Sequence, residues 1–209
     1  MKPSAVSVII PTRNRAHLVA RAVCSALKSC SGTDEIIVVD DGSTDSTATA
    51  LESYARHIKY VKLPHGGAGK ARNHGVRIAR NPLVAFLDSD DEWIPGYLEV
   101  KRRLLDRCPD ILFCCSDFAS RHQSGHIDRN ARSQWHHTPL LWDEILGTGV
   151  PISSLIDLPE GIADFPVHVG NVYPREMAAS YVCTITLVVR KHAAGDALTF
   201  AKNLPIYED

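Results

Sequence analysis

Nowhere in this chain of 209 residues do apolar side chains run for the ~20 positions that a membrane-spanning helix needs. The apolar segment at residues 5–10 is too short for a signal peptide and runs straight into Pro-Thr-Arg-Asn-Arg, so it reads as a first strand. An excess of either charge is also missing. With 23 basic and 24 acidic residues the net charge is -1, which argues against a non-specific polyanion binder, and nucleic acid is not an expected partner. The six cysteines show no Cys-x-x-Cys spacing, which removes the commonest zinc and redox motifs. Most lie inside apolar or helical patterns, so they read as small buried hydrophobes, reduced in a cytosol. Internal repeats and low-complexity tracts are absent. What remains is an ordinary globular composition, 44% hydrophobic and 22% charged, of a size for one generous domain.

Against that background, short apolar runs alternate with helical patterns. Residues 5–10 are β-branched and apolar, with Pro11 as their expected end. Asn14 is a candidate cap for a helix whose stripe is Leu18, Ala22, Val23, Ala26 and Leu27. A second strand over 35–39 finishes at Asp40-Asp41-Gly42, and Ser43 or Asp45 caps a helix with Ala48, Leu51 and Ala55 inward. Residues 58–63 form a weaker third strand. A glycine-rich turn at 66–69 opens a helix patterned by Ala71, Gly75, Ile78 and Ala79, and residues 83–87 form a fourth strand. Pro95 suits the first turn of a helix with Leu98, Leu104 and Leu105 as its stripe, before a fifth strand over 111–115. Residues 117–175 are irregular and rich in His, Pro, Gly and Trp, with one helical turn around 140–146, and residues 181–189 alternate as a strand. Such alternation predicts an α/β fold of βαβ units with a mostly parallel sheet.

The fourth strand stops in Asp88-Ser89-Asp90-Asp91. An isolated Asp-x-Asp is more often a solvated turn than a site. Parallel strands, however, bring residues 11–13, 40–41 and 88–91 out at one carboxyl edge, where open α/β sheets bind ligands. Asp88 and Asp90 can then converge on one hard cation whose shell is completed by substrate phosphates. The turn at 66–69 matches neither a P-loop, because Pro64 and Ala71 stand at its required positions, nor the dinucleotide fingerprint, because Arg72 stands where glycine is needed. It offers Lys70 and Arg72 to an anion at a helix N-terminus, or is a plain turn, with equal weight. His122, His126, His136 and His137 read as surface or acceptor-loop residues with no carboxylate to complete a zinc set. Trp93 reads as packing beneath the acids, and Trp135 and Trp142 as core filling. The terminal Glu208-Asp209 pair carries no signal on pattern alone.

Val6-Ser-Val-Ile-Ile-Pro-Thr-Arg-Asn-Arg, Ile36-Ile-Val-Val-Asp-Asp-Gly-Ser-Thr-Asp, Gly69-Lys-Ala-Arg-Asn-His-Gly and Val84-Ala-Phe-Leu-Asp-Ser-Asp-Asp-Glu-Trp resemble, in order and spacing, the family 2 glycosyltransferases of the GT-A fold. The resemblance covers roughly residues 5–115. Beyond it, residues 183–191, Gly195 and Glu208-Asp209 are similar to the family only in outline. It implies a Rossmann-like, mostly parallel sheet flanked by helices, in one GT-A catalytic domain over 1–209. Residues 1–116 would bind the nucleotide sugar and 117–209 would form the acceptor side. It further implies that Pro11, Thr12 and Arg13 line the nucleotide pocket and that Asp41 contacts the uracil. Arg72 would lie near the nucleotide or its phosphates, Asp88 by ribose and metal, Asp90 would bind the metal directly, and Asp209 would be the general base. The family's pattern continues into a helix after that aspartate, so truncation at the C-terminus is expected, and the processive Gln-x-x-Arg-Trp element is absent.

The expected activity is inverting, Mn2+- or Mg2+-dependent transfer from a UDP-sugar to a saccharide or lipid-linked acceptor, in the cytoplasm or at the inner face of the membrane. A nucleotide-sugar-binding module without catalysis, and less strongly a nucleotidyltransferase, are the alternatives.

Overall fold

The computed structural model describes residues 3–122, 124–129, 131, 143, 146–171 and 182–201. Its centre is a six-stranded sheet. The strands are β1 (Val6–Thr12), β2 (Glu35–Asp40), β3 (Lys59–Lys62), β4 (Leu83–Phe86), β5 (Phe113–Cys114) and β10 (Val188–Arg190), in the order β3-β2-β1-β4-β10-β5. β1, β2, β3 and β4 pair in parallel, and β10 runs antiparallel to both β4 and β5. Alternate residues of the buried strands feed two different cores, as a sheet covered on both faces requires. Val6, Val8, Ile10, Val38 and Ala85 pack toward α1 (Val19–Ser29) and α4 (Tyr97–Arg107). Ile9, Ile37, Val39, Val84 and Phe86 pack toward α3 (Ala68–Ile78), where Gly75 lets the helix lie close on Ile9.

Several expectations change. β1 does not end at Pro11 but continues to Thr12. Pairing with β2 runs on to Thr12 but pairing with β4 stops at Ile9, and Pro11 faces the β4 side as Ile9 does, so the N–H that proline lacks falls where that ladder has ended. Asn14 caps no helix. It takes a left-handed backbone (φ 51°), its N–H donates to Ser43 Oγ (2.9 Å) and its Oδ1 accepts from the Thr44 N–H (2.8 Å), so it ties the β1 end to the β2 end. The helix after β2 shrinks to α2 (Thr47–Ala50) and a following 3-10 turn, with Thr47 and Leu51 inward and Ala48 and Ala55 exposed. Of the strand expected over 181–189 only the last two residues fall in β10, which a 3-10 turn at Thr184–Thr186 precedes; Tyr181 lies outside the described residues. The cysteines form no disulfide, and none is fully buried; Cys115 is exposed.

Among its described residues the irregular region contributes two small antiparallel pairs, β6 (Ser120–Arg121) with β7 (Ile127–Asp128) and β8 (Val150–Pro151) with β9 (Pro166–Val167). Ile152 and Ile156 pack on Val100 and Leu104 of α4, which anchors the second hairpin region. Most of the helical turn expected around 140–146 lies outside the described residues, as do Trp135, Trp142, His136 and His137. After β10 come α5 (Lys191–Ala194) and a 3-10 turn, and the chain then crosses α3. Arg190 and Lys191 hold this return: Arg190 Nε donates to the Ile111 carbonyl (2.8 Å), and Lys191 Nζ to that of Ala79 (2.6 Å).

Candidate active site

The registers Thr12↔Asp40 and Ile9↔Phe86 bring the ends of β1, β2 and β4 to one rim. There a cleft of about 400 Å³ is lined by Pro11, Thr12, Arg13, Asp41, Arg72, Asp88 and Asp90, together with Asn14, Arg15, His65, Gly67, Ala68 and Ser89. Every site residue expected from the sequence is therefore in one cavity, except Asp209, which lies outside the described residues. Lys70 is not among the lining residues; it is exposed and donates to the Pro64 carbonyl (3.3 Å).

Asp40 and Asp41 divide the work at the β2 end. Asp40 is fully buried and structural, accepting from the Ser43 N–H (2.7 Å) and the Tyr60 hydroxyl. Asp41 organises the turn that opens α3. Its Oδ1 accepts from the Gly66 N–H (2.8 Å), and its Oδ2 from the Gly67 N–H (2.8 Å) and His65 Nδ1 (2.7 Å). Gly67 adopts φ 89°, a conformation that favours glycine.

At the β4 end, Arg72 of α3 donates from Nη2 to Asp88 Oδ1 at 2.7 Å, with both side chains largely buried. Asp90 projects outward, half exposed, 3.6 Å from Arg15 Nη2. Asp91, half-buried, follows in a tight turn, its N–H donating to the Asp88 carbonyl (3.1 Å). Burial first, and then the charges of Asp88 and Asp90, push its carboxyl up to about 6. Trp93 packs below, its ring stacked on Tyr97 at 4.7 Å, as the sequence led us to expect.

Among the described residues five buried side-chain polar atoms lack a hydrogen-bond partner: Thr12 Oγ1 and Arg72 Nε belong to cleft-lining residues, and Trp93 Nε1, Tyr97 Oη and Arg102 Nε to residues that do not line it. Buried polar atoms are ordinarily satisfied, and Thr12 Oγ1 and Arg72 Nε are the two that a polar ligand in the cleft would stand nearest. The donor set for a cation is limited. Among the described residues no group of three or more His, Cys, Asp and Glu is arranged to hold a metal. Asp88 and Asp90 offer two hard carboxylates, which suits an ion held mainly by phosphate oxygens and water.

Sequence reasoning missed three participants. His65 gave a cue only in its position before Gly66-Gly67. Asn73 and Phe200 gave none, because their contact spans 127 positions: Asn73 Nδ2 donates to the Phe200 carbonyl and the Phe200 N–H to Asn73 Oδ1, each at 2.8 Å. Phe200 thereby lies under the Arg72 guanidinium, 5.6 Å from ring centroid to Cζ. His122 and His126 are on the exposed β6–β7 hairpin, and a carboxylate does join them: Asp128 accepts from both, with the His126 contact at 2.8 Å.

A family model described as glycosyl transferase family 2 matches residues 7–150. The chain is 28% identical over 221 residues to the uncharacterised glycosyltransferase RP339 of Rickettsia prowazekii, covering 98% of this chain and 69% of that protein. It is 33% identical over 193 residues to another such protein of Rickettsia conorii, covering 91% of this chain and 31% of its relative. A shorter likeness, 38% over 98 residues, covers 46% of this chain and 39% of the Escherichia coli UDP-Glc:alpha-D-GlcNAc-diphosphoundecaprenol beta-1,3-glucosyltransferase WfgD. The chain thus spans about a third of the length of the last two. Among solved structures, that of S. aureus TarS 1-349 in complex with UDP superposes with a TM-score of 0.66 over 98% of this chain and 52% of that one, at 20% identity, a likeness of fold.

Proposed function

Because the chain belongs to glycosyl transferase family 2 and has the GT-A fold, we propose that it transfers a sugar from a UDP-sugar to an acceptor hydroxyl with inversion at the anomeric carbon. The observation that carries this reading is the meeting of Thr12, Arg72, Asp88 and Asp90 on one cleft, with Thr12 Oγ1 and Arg72 Nε lacking hydrogen-bond partners among the described residues. A nucleoside diphosphate supplies acceptors for the orphaned groups and anionic oxygens for a cation. Residues 1–116 make this donor half, and 117–209 shape the acceptor side.

Mn2+ or Mg2+, when bound, supplies Lewis-acid stabilisation of the charge that grows on the departing diphosphate. Asp90, outward and half exposed, and Asp88 would hold it. Arg72 is fixed by Asp88 and Phe200, so its cation stands ready beside the phosphates without reorganisation. Pro11, Thr12 and Arg13 form the wall against which the nucleoside lies. Asp209 takes the proton of the acceptor hydroxyl as it attacks in line with the departing diphosphate. The acceptor is a saccharide or a lipid-linked sugar. No helix of the described residues is long and apolar enough to cross a membrane, and we place the protein in the cytoplasm, with peripheral contact at the inner face of the membrane when the acceptor is lipid-linked.

Nucleotide release from UDP-sugars, assayed with Mn2+ and with chelator, tests the reading. Release of UDP only with metal is expected, and pyrophosphate release from UTP would instead indicate a nucleotidyltransferase. Asp209→Asn should retain donor binding and lose turnover by ~10²–10⁴-fold; unchanged turnover would remove Asp209 from the mechanism.

A further inference from the structure

Two of the acids after β4 each face a guanidinium across the cleft, but the two pairs are built differently. Arg72 and Asp88 are in hydrogen-bond contact at 2.7 Å, with side chains only 9% and 18% exposed. Arg15 and Asp90 are 38% and 46% exposed, and at 3.6 Å their contact is too long for a hydrogen bond. Burial and a hydrogen bond fix the first pair. The second is held by charge alone, at a surface open to solvent.

The base from which the Arg15 side chain extends is pinned. Its N–H donates to Thr47 Oγ1 (3.1 Å), and its carbonyl accepts from the N–H groups of Leu18 and Val19, where α1 begins (2.9 Å each). A change of partner is therefore a rotation of the side chain, at a residue that lines the cleft. Asp90 is the carboxylate that the donor reading gives to the cation, and a guanidinium cannot shed its charge to make room. A divalent ion on Asp90 and Arg15 against Asp90 repel each other at such a distance. Displaced, Arg15 finds the flanking acids Asp88 and Glu92 already paired, with Arg72 and Arg21. Diphosphate oxygens bound in the same cleft are a ready partner, since a guanidinium grips such oxygens through paired N–H donors.

Resting on the donor reading above, we propose that Arg15 is an exchangeable counter-ion. It pairs with Asp90 in the free protein and turns to the diphosphate when a metal-bound donor arrives, so the cleft prefers the metal–diphosphate complex to the metal alone.

The exchange gives Arg15→Gln opposite effects on two equilibria, which loss of a structural contact would not. Mn2+ binding to the protein alone, followed by the electron paramagnetic resonance signal of free Mn2+, should tighten about fivefold, the scale of one half-exposed ion pair. UDP binding in saturating Mn2+, followed by calorimetry, should weaken by about fivefold or more, while uridine binding stays as in the wild type. Arg15→Ala should repeat both effects, and Arg15→Lys, which keeps the charge, should bind free Mn2+ as the wild type does. Both neutral substitutions leave the backbone bonds of position 15 in place, and melting without ligand checks that the fold is kept. A free-Mn2+ or UDP affinity that is unchanged in the neutral variants, or two affinities that move in the same direction, overturns the exchange while leaving the donor reading intact. An equal gain of Mn2+ affinity in Arg15→Lys does the same, because charge would then not be the cause. A wild type that binds no UDP in Mn2+ overturns the donor reading and the exchange together.

Discussion

Three consecutive-looking acids at the end of β4 have three different electrostatic fates. Asp88 is neutralised by Arg72, Asp90 is hydrated beside Arg15, and Asp91 is enclosed with both other charges for neighbours. The sequence shows the acids but not this division, which depends on the turn closed by the Asp91 N–H on the Asp88 carbonyl. Asp91 makes the division measurable. Its carboxyl is raised from 3.8 to about 6, so the folded state holds the proton more tightly than the unfolded one. Stability from this group is present below its unfolded value and is lost as pH rises through about 6. Asp91→Asn removes that loss. In metal-free buffer the variant should melt above the wild type at pH 7.5, with the advantage shrinking to nothing near pH 4. An advantage equal at both pH values would show that the effect is packing and not charge.

At the level of elements, α3 joins the two ends of the cleft. Its N-terminal turn is held by Asp41, its first full turn supplies Arg72, and Asn73 holds the chain that arrives from α5. Gly69 is required for that crossing, because a Cβ there would come within 2.3 Å of the Ala201 carbonyl oxygen. The helix itself was legible from Ala71 and Gly75 at helical spacing and from the glycine turn before it. Its partner was not, because Asn73 and Phe200 lie far apart in the chain and neither belongs to a periodic pattern. β10 was half legible for a related reason. Its apolar residues read as a strand, but its antiparallel course between β4 and β5 comes from tertiary pairing. Asn73→Ala should lose two hydrogen bonds and cost ~1–3 kcal/mol. By hydrogen exchange the Phe200 amide should lose its protection while amides of β1 and β2 keep theirs. Unchanged exchange at Phe200 would mean that the aromatic contacts with Phe86 and Arg72 alone hold the segment.

Over the whole molecule, the proposed function depends on parallel strands ending together, and the meeting of the β1, β2 and β4 ends was the most legible feature, because βαβ connections force the direction and the apolar runs fix the ends. The consequence is that one ligand touches the ends of several strands and should stabilise the entire sheet at once. A ligand that binds only the folded state at a hundred times its Kd adds ~2.7 kcal/mol. For a chain of this length each kcal/mol is worth ~2–4 °C, so UDP with Mn2+ should raise the Tm by roughly 5–10 °C. Asp90→Ala removes the outward carboxylate without disturbing the Arg72–Asp88 pair, and a tenfold loss of Mn2+-supported affinity leaves only ~1.4 kcal/mol at the same nucleotide concentration, about half the shift. With chelator in place of Mn2+, wild type and variant should give the same smaller shift, since the nucleoside contacts proposed at β1 and β2 would be common to both. An Asp90→Ala shift equal to the wild-type shift in Mn2+ would place the cation elsewhere and leave Asp90 a hydrated turn residue.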